Sequence, residues 1–289
     1  MRILHPLSRS GSMKAIVAVL CVVAGALTAG CVHDAAVSTA PAASQPLERA
    51  IEGAHRSEAN RLRDAHRHPR ETLEFFGLRP DMTVVEIWPG AGWYTEILAP
   101  VLRERGKYYA AHFHVDEKSP RYMGPSLQGF RKKLAGEPHL YDKVVITAFN
   151  APAQSAVAPP GSADLVLTFR NVHNWTAARN DEASFRAFHD ALRPGGVLGV
   201  VEHRAQMGTP LEQMIKTGYM TEAYVIALAE KAGFRFAGKS EVNANPRDTK
   251  DHPRGVWTLP PTYRLGDQDR EKYRAIGESD RMTLKFIKP

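Results

Sequence analysis

An uncharged run, Ala15 to Gly30, follows Lys14 and is rich in Val, Ala and Leu. A basic residue ahead of an apolar run this short has the layout of a secretory signal rather than of a membrane span. Val32 to Pro46 then turns to Ala, Ser, Pro and Thr, a composition suited to a tether. From Leu47 the pattern is helical, through Arg61, Leu62, Asp64 and Arg67 to His68. Pro69 fits the first position of a second helix that reaches Phe76 and closes at Gly77.

Beyond Gly77 short β-rich runs alternate with helical ones. Strands are expected at 83–88, 108–113, 143–148, 165–169, 197–201, 234–242 and 282–287. Helices are expected at 93–102, 124–134, 181–192 and 222–231; in the third, apolar residues at 185, 188 and 192 share one face. Pro194-Gly195-Gly196 stops that helix and Gly233 stops the next. Strands separated by helices predict an α/β fold, a doubly wound and mainly parallel sheet covered on both faces, with ligands beyond the strand carboxyl ends. The polar stretch 243–280 interrupts the alternation, and its Arg, His and Trp content predicts an ordered lid.

Composition adds limits. The 289 residues are 43% hydrophobic and 24% charged, as in a folded globular chain. The formal charge is +7, but losing Arg2, Arg9 and Lys14 with the signal leaves 35 basic and 31 acidic residues. A mature chain of +4 without a basic cluster makes a weak case for nucleic acid, and none is expected as a partner. There are two cysteines; Cys21 leaves with the signal, and Cys31 follows the small residues Leu27-Thr28-Ala29-Gly30. That junction resembles the lipobox of bacterial lipoproteins. The resemblance implies a signal peptide over 1–30, a lipidated N-terminus and tether over 31–47, and one domain over 48–289 with its insertion at 243–280. It also implies a protein held to a membrane through Cys31, in the bacterial periplasm. No thiol then remains for a disulfide, a nucleophile or a zinc site.

The first strand runs into Glu86-Ile87-Trp88-Pro89-Gly90-Ala91-Gly92-Trp93-Tyr94-Thr95-Glu96. Glycines at a strand-to-helix turn let a ligand approach the backbone. In order there follow Asn150-Ala151-Pro152, Gly161 to Leu167 leading to Asn171-Val172-His173-Asn174-Trp175, Leu192-Arg193-Pro194-Gly195-Gly196, Glu202, and Ala229 to Phe234. This series resembles the class I S-adenosylmethionine-dependent methyltransferases, and is most like a group of predicted methyltransferases of exported bacterial proteins. The resemblance covers roughly residues 69–242 and is completed by the strand at 282–287. It implies a seven-stranded sheet whose last strand is antiparallel, and S-adenosylmethionine as cofactor. Glu86, Trp88, Gly90, Gly92, Tyr94, His112 and Asn150 then fall at the cofactor.

The departures are specific. Trp88 replaces the first glycine of the turn. His112 or His114 stands where an acid holds the cofactor ribose, and Asn150 where an acid contacts the adenine region. Glu86 is kept, the acid that orients the amino-acid end of the cofactor.

Candidate chemistry gathers after the fourth strand, where Arg170, Asn171, His173 and Asn174 are the catalytic candidates. A histidine titrates near neutral pH and suits a general base; Arg170 suits an anionic part of a small-molecule substrate. Asn171 and Asn174 would orient that substrate and Trp175 would supply an apolar wall. Glu202-His203-Arg204 occupies the corresponding end of the next strand. His112 and His114 have a spacing that can bind a metal, but surface or pocket histidines are the expected reading, so no metal site is assigned. Asp64, Arg67 and His68, at helical spacings of three and four, offer a lid or an ion-paired face; a solvated face is the expected reading. The expected function is methyl transfer from S-adenosylmethionine to a small molecule; the alternative is a non-catalytic ligand- or metal-binding protein on the same fold. Export favours the alternative, because that cofactor is made in the cytosol.

Overall fold

A computed structural model describes residues 44–289. The expected signal segment, Cys31 and nearly all of the tether lie outside the described residues. No helix among the described residues is long and apolar enough to cross a membrane.

Seven strands form one sheet in the order β3-β2-β1-β4-β5-β7-β6. They are β1 (Thr83–Ile87), β2 (Lys107–Phe113), β3 (Val144–Phe149), β4 (Ala163–Phe169), β5 (Leu192–His203), β6 (Arg235–Ser240) and β7 (Arg281–Ile287). Every pairing is parallel except those of β7, which runs antiparallel to both β5 and β6. This is the topology the resemblance implied. The order reverses between β1 and β4, and that switch point opens a crevice above the strand carboxyl ends.

Alternation along the strands builds two cores. Val84, Tyr108, Ala110, Leu165 and Leu167 face one side. There they meet α1 (Ser44–Glu52), α4 (Pro69–Phe76), α5 (Thr95–Leu102) and α6 (Met123–Gly136), through Leu47, Leu73, Ile97 and Phe130. Val85, Ile87, Ala111 and Val166 face the other side. They pack under α8 (Val172–Ala177), α9 (Asp181–Ala191) and α11 (Glu222–Lys231) with Trp175, Phe185, Phe188 and Leu228. The remaining helices are α2 (Glu58–Arg61), α3 (Asp64–Arg67), α7 (Pro138–Tyr141), α10 (Leu211–Thr217) and α12 (Arg270–Ile276), with a 3-10 turn at Gly255–Thr258.

The expected helical stretch from Leu47 to His68 is broken into three. Arg56 explains the first break: its guanidinium donates to the Ile51 carbonyl at 2.9 Å and to both Asp64 oxygens at 2.7 Å. A side chain that caps the end of α1 and grips the start of α3 folds the chain back on itself. β5 also begins earlier than expected, at Leu192, because Ala163 of β4 pairs with it across the Pro-Gly-Gly turn.

The stretch 243–280 folds over the sheet end and is pinned from beneath. The buried Asp248 carboxylate accepts from the Tyr219 hydroxyl at 3.0 Å, the His252 Nε2 at 2.8 Å and the Asp280 N–H at 2.8 Å. Asn245 adds bonds to the carbonyls of Ile276 and Glu278. One polar hub thus replaces the apolar core that so polar a segment cannot build.

Candidate active site

A cavity of about 330 Å³ lies at the switch point. Its floor is the ends of β1 and β4, one wall is α2 and α3, and the 3-10 turn with Pro260 to Thr262 closes it from above.

The turn after β1 starts the site. Trp88 has φ 50, in the left-handed region where a residue with a Cβ is strained, and Gly90 has φ 59. Arg170, after β4, is left-handed too, at φ 63. Gly90 faces open space, since nothing lies within 4 Å of where a Cβ would be. Gly92 does not: a Cβ there would meet the Phe130 ring at 3.1 Å. Gly92 therefore serves helix packing and is not on the cavity wall.

Trp88 stands in for the family's first glycine, and its side chain is the largest departure. Its indole N–H donates to the Phe149 carbonyl at 3.1 Å, and the ring meets Phe113 edge-on at 4.9 Å and Trp175 at 5.3 Å. Phe149 ends β3 and Trp88 follows β1, with β2 between them. The indole therefore lies across the end of β2. His112 is buried beside it, with Nε2 bonding the Gly90 carbonyl at 3.1 Å and Nδ1 accepting the Phe113 N–H at 2.8 Å. Both ring nitrogens are thus used by the fold, so His112 and His114 make no metal pair. Asn150 pairs its backbone with Gln154 and is off the cavity.

Glu86, at the end of β1, is buried and lines the cavity. Tyr108 donates to its carboxylate at 2.5 Å and Thr95 at 3.3 Å. Burial outweighs these bonds and pushes the Glu86 carboxyl up to about 7. Tyr94 stacks on Phe169 with centroids 3.6 Å apart, and burial raises its hydroxyl to about 12.

On the opposite side, His173 and Glu202 form a dyad. His173 Nδ1 lies 3.0 Å from the Glu202 carboxylate, which also accepts the N–H groups of His173 at 3.3 Å and His203 at 2.8 Å. All three residues are buried, and both imidazoles line the cavity. His203 Nδ1 meets the Ser279 hydroxyl at 2.6 Å. Burial, His173 and the neighbouring arginines push the His203 pKa well down. One ligand atom from each of His173, Glu202 and His203 lies within 4.8 Å of the others, a spacing that a metal could use. Arg281, Arg170 and Arg67 put a positive potential on the same spot, which opposes a divalent cation there.

Of the other expected site residues, Arg170 and Asn171 both line the cavity, and Asn171 also serves the fold. The Asn171 amide donates to the Ile87 carbonyl at 3.0 Å and ties β1 to β4. Asn174 is exposed and points to no cavity, and Trp175 is fully buried in the core beneath Trp88. Arg204 leaves the site to bind Asp280, Glu222 and Glu241. Arg67 corrects the solvated-face reading: it is buried, lines the cavity and lies 4.5 Å over the Trp93 ring. Arg63, Arg281 and Glu278 were not singled out from the sequence. They carry no motif, and only the fold brings residues so distant in sequence together.

No protein-family model matches the chain, and no curated protein sequence does. Solved structures do match. A SAM-dependent methyltransferase from Aquifex aeolicus aligns at 18% identity and a TM-score of 0.51, over 78% of this chain and 93% of that one. The [4+2]-cyclase SpnF aligns at 16% identity and a TM-score of 0.50, over 85% of this chain and 92% of that one. Such identities speak to architecture and not to chemistry, and the cyclase among them makes the same point. Strand order, the antiparallel β7 and these likenesses together show that the chain has the class I S-adenosylmethionine-dependent methyltransferase fold.

Proposed function

We propose that the cavity is the active site of an enzyme that acts on a small molecule, with His173 taking a proton from it. The observation that carries this reading is the 3.0 Å contact between His173 Nδ1 and Glu202, both buried, with the imidazole on the cavity wall. A carboxylate that accepts Nδ1–H leaves Nε2 free to receive a proton and stabilises the imidazolium that forms. Glu202 is a positioning residue, held in turn by two backbone N–H groups.

The methyl donor that this fold implies is S-adenosylmethionine, and the residues fit only half of it. Glu86 and the open backbone at Gly90 suit its amino-acid end. Its adenosine end has no room as the family binds it, because the Trp88 indole spans the end of β2 and His112 is locked in place of the ribose acid. Methyl transfer to the small molecule is the second reading, favoured by Glu86 and Gly90, and it requires Trp88 to move aside.

The layout of residues 14–31 supports a periplasmic location and a lipid anchor at Cys31.

Incubating the purified protein with a small-molecule cell extract, followed by mass spectrometry, tests the first reading. A metabolite should be consumed, and His173→Ala should slow its loss roughly 10²–10⁴-fold, the range of a general base, while the protein stays folded. Undiminished consumption by folded His173→Ala would refute it. A methylated product formed only with added S-adenosylmethionine would favour the second reading.

A further inference from the structure

Four arginines line the cavity: Arg63, Arg67, Arg170 and Arg281. They come from α2–α3, from the end of β4 and from the start of β7. Only the Glu278 carboxylate makes ion pairs with them among the described residues; Glu86 lines the same cavity without pairing to an arginine. The Glu278 oxygens meet Arg63 Nε at 2.6 Å, Arg67 Nε at 3.6 Å and the Arg281 guanidinium in a short contact. Arg170 makes no side-chain hydrogen bond or ion pair among the described residues.

A guanidinium cluster with a purely structural role pairs its charges, because an uncompensated buried charge costs several kcal/mol. Here four positive groups meet one paired carboxylate, and counting Glu86, the other acid on the cavity wall, still leaves an excess of two. The unsatisfied donors are specific: Nε of Arg67, Nε of Arg281 and Nη2 of Arg63 are buried without a hydrogen-bond partner. Repulsion shows in the arginines themselves. Burial, with Arg281 next, brings Arg170 down to about 10, and burial together with Arg170 lowers Arg67. The cavity volume, about 330 Å³, is near the lower end for small-molecule sites, which run from ~300 to ~1,000 Å³.

We infer that the cavity selects a compact oxyanion with at least two negative charges, a phosphate ester or a dicarboxylate, gripped by Arg63, Arg67, Arg170 and Arg281. This rests on the reading of the cavity as a substrate site, but not on His173 as its base. Planar guanidinium forks match the oxygens of either anion in pairs. A ligand with one carboxylate would leave part of the excess charge unanswered. Once seated, the ligand sits in the cavity that His173 and Trp257 also line.

The test is thermal unfolding and calorimetry of the purified protein with inorganic phosphate, succinate or acetate at matched ionic strength. Phosphate or succinate should stabilise it well beyond acetate, and the better of the two names the oxyanion class. Arg170→Gln should weaken that binding about 10–100-fold, the loss of one or two charge-assisted hydrogen bonds. Because Arg170 has no partner to abandon, the variant should fold at least as stably as the parent without ligand. Arg193→Gln, whose side chain pairs with Asp164 away from the cavity, should bind unchanged. His173→Ala should still bind the anion, so a failed base assignment and a failed anion assignment give different results. Equal response to all three anions, or undiminished binding by folded Arg170→Gln, would overturn the inference.

Discussion

Replacing Glu86 by Gln should make the protein's stability less sensitive to alkali. In the folded protein burial lifts the Glu86 carboxyl from 4.5 to about 7. The neutral form is therefore favoured by folding, and its contribution is complete below the unfolded-state value of 4.5. That contribution is lost as pH rises through about 7, when the buried group is forced to ionise. At ~1.4 kcal/mol per pH unit the full loss is about 3.5 kcal/mol, with no discount for solvent because the side chain is buried. Glutamine cannot ionise, and its carbonyl still accepts from Tyr108. Urea unfolding of both proteins at about pH 5 and about pH 8 isolates the group, since every other titration is shared. The parent should lose about 2.5 kcal/mol more than Glu86→Gln between those conditions, since part of the loss falls below about pH 5. Parallel changes in the two proteins would mean that Glu86 ionises as in water, and the buried site as described would be wrong.

Other outcomes follow from the same geometry. Glu278 is held well below the carboxylate range by Arg281, Arg67 and Arg63 against the opposing cost of burial; its stabilisation is present above 4.5 and is lost as acid protonates it. Glu278→Gln should cost roughly 3–5 kcal/mol at neutral pH, the price of stranding buried charges, and urea unfolding that gives under ~1 kcal/mol would contradict the pairing. Gly92→Val should impair folding before binding, because its Cβ strikes Phe130 at a φ of +82; a melting temperature equal to the parent's would refute this. The native protein should begin at a lipid-modified Cys31, and mass spectrometry of an intact Met1 or Met13 terminus would exclude the anchor.

Wherever one rule governed an element, the sequence was legible. All seven strands were expected within about two residues at most ends, because strands covered on both faces by helical layers read as short, β-rich apolar runs between turn signals. The six residues of α8 are too few for a helical period to register, and the breaks around Arg56 depend on a side chain reaching back to Ile51. The site divides the same way. Glu86, Gly90, Arg170 and His173 follow strand ends, where an α/β sheet puts ligands, and they line the cavity. Gly92, His112 and Asn150 matched family positions, but Phe130 and the fold's own hydrogen bonds occupy them. Arg67 read as a surface charge because its neighbours, the Trp93 ring and the Glu278 carboxylate, are distant in sequence, which local spacing cannot reveal.

The central claim is that Trp88 closes the adenosine half of this fold's ligand site and leaves an arginine-lined cavity for a smaller substrate. Calorimetry of the purified protein with S-adenosylhomocysteine tests it most directly, run beside a Trp88→Gly variant whose φ of 50 suits glycine. The account predicts no micromolar binding by the parent and measurable binding by Trp88→Gly. Micromolar binding by the parent, undiminished relative to the variant, would contradict it.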